Sequence, residues 1–182
     1  MSQEHVSPAE FYVSGLESLL SLEMQHEKLI AKMVSLADCE RLREFFEDLP
    51  PMIARQRRRL ELLLRSIPER PDTPAPARNG LEEDLLDLQL MRNPDDRDAE
   101  LVKASAWITG LQVDQYVATR DAAMQLGDFE AARHLQRSLN AVAASRLRLM
   151  RIAQRIRHLA EGVPTVETTE FDRRPERAVA LP

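Results

Sequence analysis

From about residue 98 to residue 161 the chain reads as helix, and only one pair of residues interrupts the pattern, Gly127-Asp128. A glycine that stops one helix and an aspartate that caps the next leave no length for anything but a tight reversal, so the two halves must lie antiparallel as neighbours. The N-terminal third repeats this design. Ser7-Pro8-Ala9-Glu10 is a capping box with proline at the first helical position. Apolar residues then recur at helical spacing at Phe11, Leu16, Leu19, Leu20, Leu22, Leu29, Ile30, Met33 and Leu36. Asp38 is placed to cap a second helix, whose apolar positions are Leu42, Phe45, Phe46, Leu49, Ile53, Leu60, Leu63, Leu64 and Ile67. Pro50-Pro51 removes two backbone donors in the middle of this run, which predicts a kink or break near Leu49.

The connection between these two hairpins is long. Residues 68–80, P-E-R-P-D-T-P-A-P-A-R-N-G, are proline-rich and extended in character. L-E-E-D-L-L-D-L-Q-L-M-R-N, residues 81–93, reads as a short acidic helix ended by Asn93-Pro94. The fourth helix carries Phe129, Leu135, Leu139, Val142, Leu149, Ile152, Ile156 and Leu159 and stops before Gly162. Each long helix spans roughly 28 to 34 residues, or about 42 to 51 Å at 1.5 Å per residue. Two antiparallel hairpins with one long crossover describe an all-α, ferritin-like four-helix bundle. The expected organisation is an N-terminal arm (1–7), the bundle (8–161, with its crossover at 68–97) and a disordered C-terminal tail (162–182), which lacks periodicity.

Composition narrows the function classes. Five glycines, few aromatics and an abundance of helix formers fit the all-α reading. A net charge of −5 gives no polycation for nucleic acid. The basic runs R-Q-R-R-R (55–59) and R-L-R-L-M-R-I-A-Q-R-I-R (146–157) alternate with leucine at core spacing and carry no interleaved aromatics for base stacking, so no nucleic-acid partner is expected. No apolar run approaches the ~20 residues of a membrane span, and no signal peptide is visible. The lone Cys39 reads as a helix-start residue in a reducing cytoplasm, with a redox thiol as the alternative.

Three stretches then carry a family resemblance. K-M-V-S-L-A-D-C-E-R-L-R-E-F-F-E (32–47), G-L-E-E-D-L-L-D (80–87) and Y-V-A-T-R-D-A-A-M-Q-L-G-D-F-E-A-A (116–132) resemble, in order and spacing, the YciE/YciF ferritin-like family of bacterial proteins. The resemblance covers roughly residues 9–160. It implies a di-metal carboxylate site with a ferroxidase-like or oxidative-stress role, its ligands projecting inward from all four helices. At the positions it implies, this chain has Glu23 on helix 1, Pro51-Met52 and Gln56 on helix 2, Thr109 and Gln112 on helix 3, and Val142 and Arg146 on helix 4.

Most ligand types are therefore missing. Thr109, Gln112 and Tyr116 share one stripe of helix 3 and read as a former ligand row with its charge removed. One glutamate with a threonine and two amides cannot neutralise two iron ions. The expectation is a non-catalytic bundle without metal or cofactor, a structural or interaction module with a connection to stress. Iron or manganese in a site rebuilt around Glu23 and His26 is the first alternative, and a small molecule in the vacated cavity the second. Glu23, Gln56, Gln112, Tyr116 and Arg146 form the expected buried polar cluster, with Arg146 neutralising Glu23; the competing reading has both charges reaching outward. His26 is expected at the surface. Helix 3 has surplus apolar residues, Val102, Trp107, Leu111, Val113 and Val117, which suggest a homodimer or another protein partner unless the crossover helix covers them.

Overall fold

The computed structural model describes residues 7–67 and 88–160, with side chains to residue 157. The expected helix over 81–93 falls largely outside these residues, which show helix only at 88–90, and the tail 162–182 lies outside them altogether. Among the described residues, and besides the short stretch at 88–90, five helices follow one another: α1 (Pro8–Leu36), α2 (Glu40–Glu47), α3 (Pro50–Arg65), α4 (Pro94–Gln125) and α5 (Phe129–Ala160). Helix α1 packs against α4 on one flank and against α2 and α3 on the other, and α5 closes the ring against α4 and against α2 and α3. The pieces α2 and α3 together make one broken helix of a four-membered bundle.

Local chemistry sets the helix ends. The capping box forms as expected: Glu10 N–H donates to Ser7 Oγ (3.2 Å) and Ser7 N–H donates to Glu10 Oε2 (2.8 Å). These bonds hold the exposed Glu10 carboxyl below its ordinary value. At the α4–α5 reversal Gly127 adopts φ 77°, and the N–H groups of Gly127 and Asp128 donate to the carbonyls of Met124 and Ala123. This is a Schellman closure, which needs a residue without a Cβ at the left-handed position. Asp128 Oδ1 then accepts from Ala131 N–H at 2.9 Å and caps α5.

Two helix starts differ from the sequence reading. Helix α4 begins at Pro94, where Asn93 Oδ1 accepts from Asp95 N–H, so Asn93-Pro94 opens this helix and does not end the preceding one. Proline is pre-set for a first helical position and asparagine is a strong cap. Helix α2 has Cys39 at its cap position, with no side-chain cap of its own. Its entry is held from another element: Asp98 of α4 accepts from Asp38 N–H (2.9 Å) and from the cap residue's Cys39 N–H (2.7 Å). Asp38 turns away and pairs with Arg97. The Pro50-Pro51 interruption does break the helix, between Glu47 and Pro50.

The apolar core falls into two clusters. The one around the α1 C-terminus contains Leu29, Ile30, Met33, Leu42, Phe45, Phe46, Leu101, Ile108 and Leu149, with the Phe45 and Phe46 rings edge to face at 5.4 Å. The one around the α1 N-terminus contains Tyr12, Leu16, Leu19, Leu60, Leu64, Ala123, Leu135 and Val142. Phe11 and Phe129, which the periodicity counts with the apolar stripes, are exposed; Tyr12 occupies the inward place beside Phe11. A close approach locks α1 to α4, for a Cβ built on Gly15 would stand 2.6 Å from Thr119 Oγ1.

Candidate functional site: a polar layer in the middle of the bundle

Between the two apolar clusters the inward positions turn polar. Glu23, His26, Gln56, Thr109, Gln112, Tyr116 and Ser138 are all buried, none more than 1 % exposed. The stripe Thr109, Gln112, Tyr116 thus faces the interior.

Glu23 sits on the inward face of α1. Tyr116 Oη donates to its Oε1 at 3.0 Å. Burial raises the Glu23 carboxyl from its ordinary 4.5 to about 7, against the opposing effect of the Tyr116 hydrogen bond and the nearby Gln112 amide. Burial also displaces the Tyr116 hydroxyl strongly upward, and the neighbouring Glu23 charge adds to this, opposed by the Ser138 hydrogen bond and the Arg59 charge.

His26, one helical turn after Glu23, corrects the surface expectation. It is 1 % exposed, and burial pushes it down to about 4. Gln112 Nε2 lies 3.3 Å from His26 Nδ1. Since the amide N–H can only donate, Nδ1 accepts and the neutral ring carries its proton on Nε2, an atom without a partner. The stripe of α1 that buries Leu16, Leu19, Glu23, Leu29, Ile30 and Met33 includes position 26 as well. That phase is the signal the sequence offered.

Arg146 is the second correction. It is exposed and makes no bond to Glu23. It stands four residues after Val142, on the edge of the buried stripe, where a long guanidinium side chain reaches water at lower cost than it could be desolvated. A cation that does reach the layer is Arg59 of α3, whose Nη1 donates to Ser138 Oγ at 3.3 Å, while Gln56 Nε2 donates to the Ser138 carbonyl at 3.3 Å. Neither Arg59 nor Ser138 stood out in the sequence, although Ser138 lies one turn before Val142 on the same stripe.

Thr109 belongs to the layer by position only. Its hydroxyl donates backwards to the carbonyls of Ser105 (2.9 Å) and Ala106 (3.1 Å). The inward pairs three residues apart on the other two helices are Ile53 with Gln56 on α3 and Val142 with Ser145 on α5. Pro51 is exposed and Met52 is partly buried against the apolar cluster of Phe45 and Phe46, so neither belongs to the polar layer. Several buried polar atoms of the layer have no partner: Glu23 Oε2, His26 Nε2, Gln56 Oε1, Gln112 Oε1 and Ser145 Oγ. Among the described residues no group of three or more His, Cys, Asp or Glu side chains is placed to hold a metal ion. The surface grooves open elsewhere. One of about 370 Å³ lies between α1 and α4 beside Ser18, Leu22, Leu111 and Asp114, and one of about 460 Å³ lies between α3 and α5 beside Arg59, Leu62, Asp128 and His134.

Two antiparallel hairpins, a crossover between them and a polar layer where inward side chains from all four helices meet define a ferritin-like helical bundle. The chain belongs to the family described as a domain of unknown function, DUF892, whose model matches residues 7–160. This agrees with the YciE/YciF resemblance. Two solved structures share the fold. The E. coli stress protein YciF is 20% identical with a TM-score of 0.74, covering 85% of this chain and 99% of its own. YcfI from Rhodopseudomonas palustris is 21% identical with a TM-score of 0.72, covering 82% and 96%. No curated protein matches the chain. None of the described helices is long and apolar enough to cross a membrane.

Proposed function

We propose that this protein is a non-catalytic bundle in which a neutral, hydrogen-bonded polar layer stands where a di-metal centre would be held, and that it acts in the cytoplasm as a structural or interaction module. The stress role that YciF's description gives that protein is the process we assign it to.

The observation that carries this reading is the donor set. In bundles that hold two metal ions, two helices each give a glutamate and the other two each give a Glu-x-x-His pair. Here the inward i, i+3 pairs are Ile53 with Gln56 and Val142 with Ser145, so aliphatic side chains fill both glutamate places. Glu23 is the one carboxylate of the layer, and its position near 7 reflects a charge whose loss of solvation outweighs the stabilisation that Tyr116 and Gln112 give it. Two divalent ions need several anionic oxygens, and these residues do not fit that group.

Metal analysis of the full chain, purified from cells grown with added iron and manganese, tests this. Substoichiometric metal that Glu23→Ala does not change is the expected result. Two ions per chain, lost in Glu23→Ala, would overturn the reading. One observation favours a second reading: Glu23 Oε2, His26 Nε2 and Gln112 Oε1 are buried without partners on contiguous side chains. A single ion per chain, lost equally in Glu23→Ala and His26→Ala, would identify a rebuilt mononuclear site.

A further inference from the structure

Charge in this molecule is sorted by helix. Helices α3 and α5 carry twelve arginines against two glutamates, Glu61 and Glu130, whereas α1 and α4 carry ten carboxylates against five basic side chains. Helix α3 packs beside α5 and α1 beside α4, so the sorting gives the bundle a basic side and an acidic side. The seam of the basic side is closed by Gln56 and Arg59 of α3, which both donate to Ser138 of α5.

On α5 the arginines stand opposite the buried stripe. Arg133, Arg137, Arg148, Arg151 and Arg155 share the outermost line of this helix with Asn140 and Ala144, and all are exposed. On α3 the exposed line is Arg55, Arg58, Leu62 and Arg65. The carboxylates of this side are already engaged: Glu61 with Arg57, Asp48 with Arg148, Glu130 at 4.0 Å from His134, and Asp128 in the cap of α5. Among the described residues no carboxylate pairs with Arg55, Arg58, Arg65, Arg133, Arg137 or Arg151. A guanidinium is charged at every ordinary pH, so like charges crowd along both lines and the face gains from an external anion. The net charge of −5, which counts against a nucleic acid for the chain as a whole, is an average that this face does not feel. The acidic side lies roughly 20 Å away, two helix diameters, and charges are screened beyond about 8 Å at physiological salt.

The form of the face selects among polyanions. An anionic membrane is bound by helices that join basic residues to large apolar ones for insertion. Here Leu62 is the large apolar side chain exposed among these arginines, while Leu147 and Met150 stand on the flank of Gln136, which Arg120 of α4 reaches. An acidic protein is held through buried anchors, which the face lacks. Single strands need aromatic platforms, and neither α3 nor the outer line of α5 has one. A duplex needs only a row of cations, because its backbone presents one charge per about 1.7 Å and releases counterions when neutralised. From Arg133 to Arg155 the line of α5 covers about 33 Å, close to one turn of B-DNA at about 34 Å. Within it Arg137 and Arg148 are about 16 Å apart, and the side chains on the line between them are the short Asn140 and Ala144. A B-DNA major groove is about 12 Å wide, so the two arginine groups reach its opposite walls. The deep, narrow major groove of an A-form duplex offers no such opening.

We propose that the arginine face of α3 and α5 binds double-stranded DNA through its phosphate backbone, without reading sequence. This deepens the interaction module proposed above by giving it a partner. The two readings fail separately, since metal content tests the polar layer and DNA binding tests this face.

The test is fluorescence anisotropy of labelled DNA duplexes of about 20 base pairs, two helical turns, titrated with the full chain between about 50 and 200 mM salt. Two duplexes of unrelated sequence should bind equally, with log K falling linearly against log salt by about 0.9 per phosphate contacted. Arg137→Glu with Arg151→Glu should weaken binding about 10-fold or more at the low-salt end. Lys28→Glu with Lys103→Glu makes the same change of net charge on the acidic side and should leave binding within about twofold. Arg137→Ala and Arg151→Ala should each make the salt slope shallower by about 1, and they carry the test if the charge-reversed variant loses helix content. No binding at about 50 mM salt would overturn the proposal. So would equal losses in the two double variants, or a slope unchanged in the alanine variants. Tighter binding to duplex RNA of the same length, or to phosphatidylglycerol vesicles, would assign the face to another partner and overturn it as well.

Discussion

Around Phe45 and Phe46 the inward side chains are almost all apolar, Asp98 and Ser105 of α4 being the polar ones, whereas at the level of Glu23 the same four helices turn a carboxyl, an imidazole and two amides toward one another. Both regions are equally buried. The apolar end gains free energy from every buried methylene. The polar middle regains only what desolvation took away, and incompletely, because Glu23 Oε2, His26 Nε2, Gln56 Oε1 and Gln112 Oε1 stay without partners. The comparison separates what holds the bundle together from what the bundle is built around. Stability resides at the ends, and the middle is a polar constellation.

The strongest challenge to that division is Phe46→Ala, at a side chain with no exposure. Loss of this ring should lower unfolding stability by about 3–5 kcal/mol in a denaturant titration; a loss below 1 kcal/mol, in the range of a surface substitution, would place the stabilising core elsewhere.

Next in size is a pH effect that the intact protein conceals. The folded-state value of Glu23 is raised from 4.5 to about 7, so its contribution is fully present below 4.5 and is lost as pH rises through 7. The folded-state value of His26 is lowered from 6.5 to about 4, so its contribution is present above 6.5 and is lost as pH falls through 4. Between about 4.5 and 6.5 the unfolded chain holds its proton on the histidine and the folded chain holds it on the glutamate, with no net uptake. The two slopes cancel. Glu23→Gln should unmask the histidine slope, stability rising with pH across this window by on the order of 3 kcal/mol, and His26→Gln the opposite slope of similar size. Urea midpoints of both variants at pH 4.5 and 6.5 check this, and parallel, flat profiles would refute it.

Tyr116→Phe removes the donor to Glu23 Oε1 and should cost about 1–3 kcal/mol. Adding Glu23→Met should return most of that loss or more, because paired replacement of buried polar partners by apolar ones is often neutral or stabilising. If the double variant is less stable than Tyr116→Phe alone, the middle layer contributes to stability after all.

The smallest effect concerns the contact beside the layer. Gly15→Ala drives a Cβ into Thr119 and should destabilise by about 1–2 kcal/mol despite alanine's better helix propensity. In a Thr119→Ala background the same change should become neutral or favourable by up to about 1 kcal/mol. A thermal melt of the four proteins shows whether the sign reverses.

Much of the fold was legible because its signals are local. The Ser7–Glu10 box, the Pro50-Pro51 break and the Gly127-Asp128 reversal each lie within a few residues of the backbone groups they satisfy. The site was legible where a stripe was decisive, as for Glu23, Gln56, Gln112 and Tyr116. It was misread at two positions. His26 lies within the buried stripe of α1 and Arg146 at the edge of that of α5, and burial went to the group that can be neutral and exposure to the one that cannot. Arg59 could not be chosen from a run of four arginines at 55–59 without knowing which flank of α3 meets α5.

The carboxylate of Asp98 has a consequence for the order of assembly. It accepts from the two N–H groups at the entry to α2, those of Asp38 and Cys39, across a separation of 59 and 60 residues. A nascent chain that ends before residue 98 therefore leaves the entry to α2 without that acceptor. This helix of eight residues is too short to persist in water unaided. It acquires its start when the second hairpin arrives, so the first hairpin matures late, and a fragment comprising residues 7–67 should have α1 formed and α2 frayed.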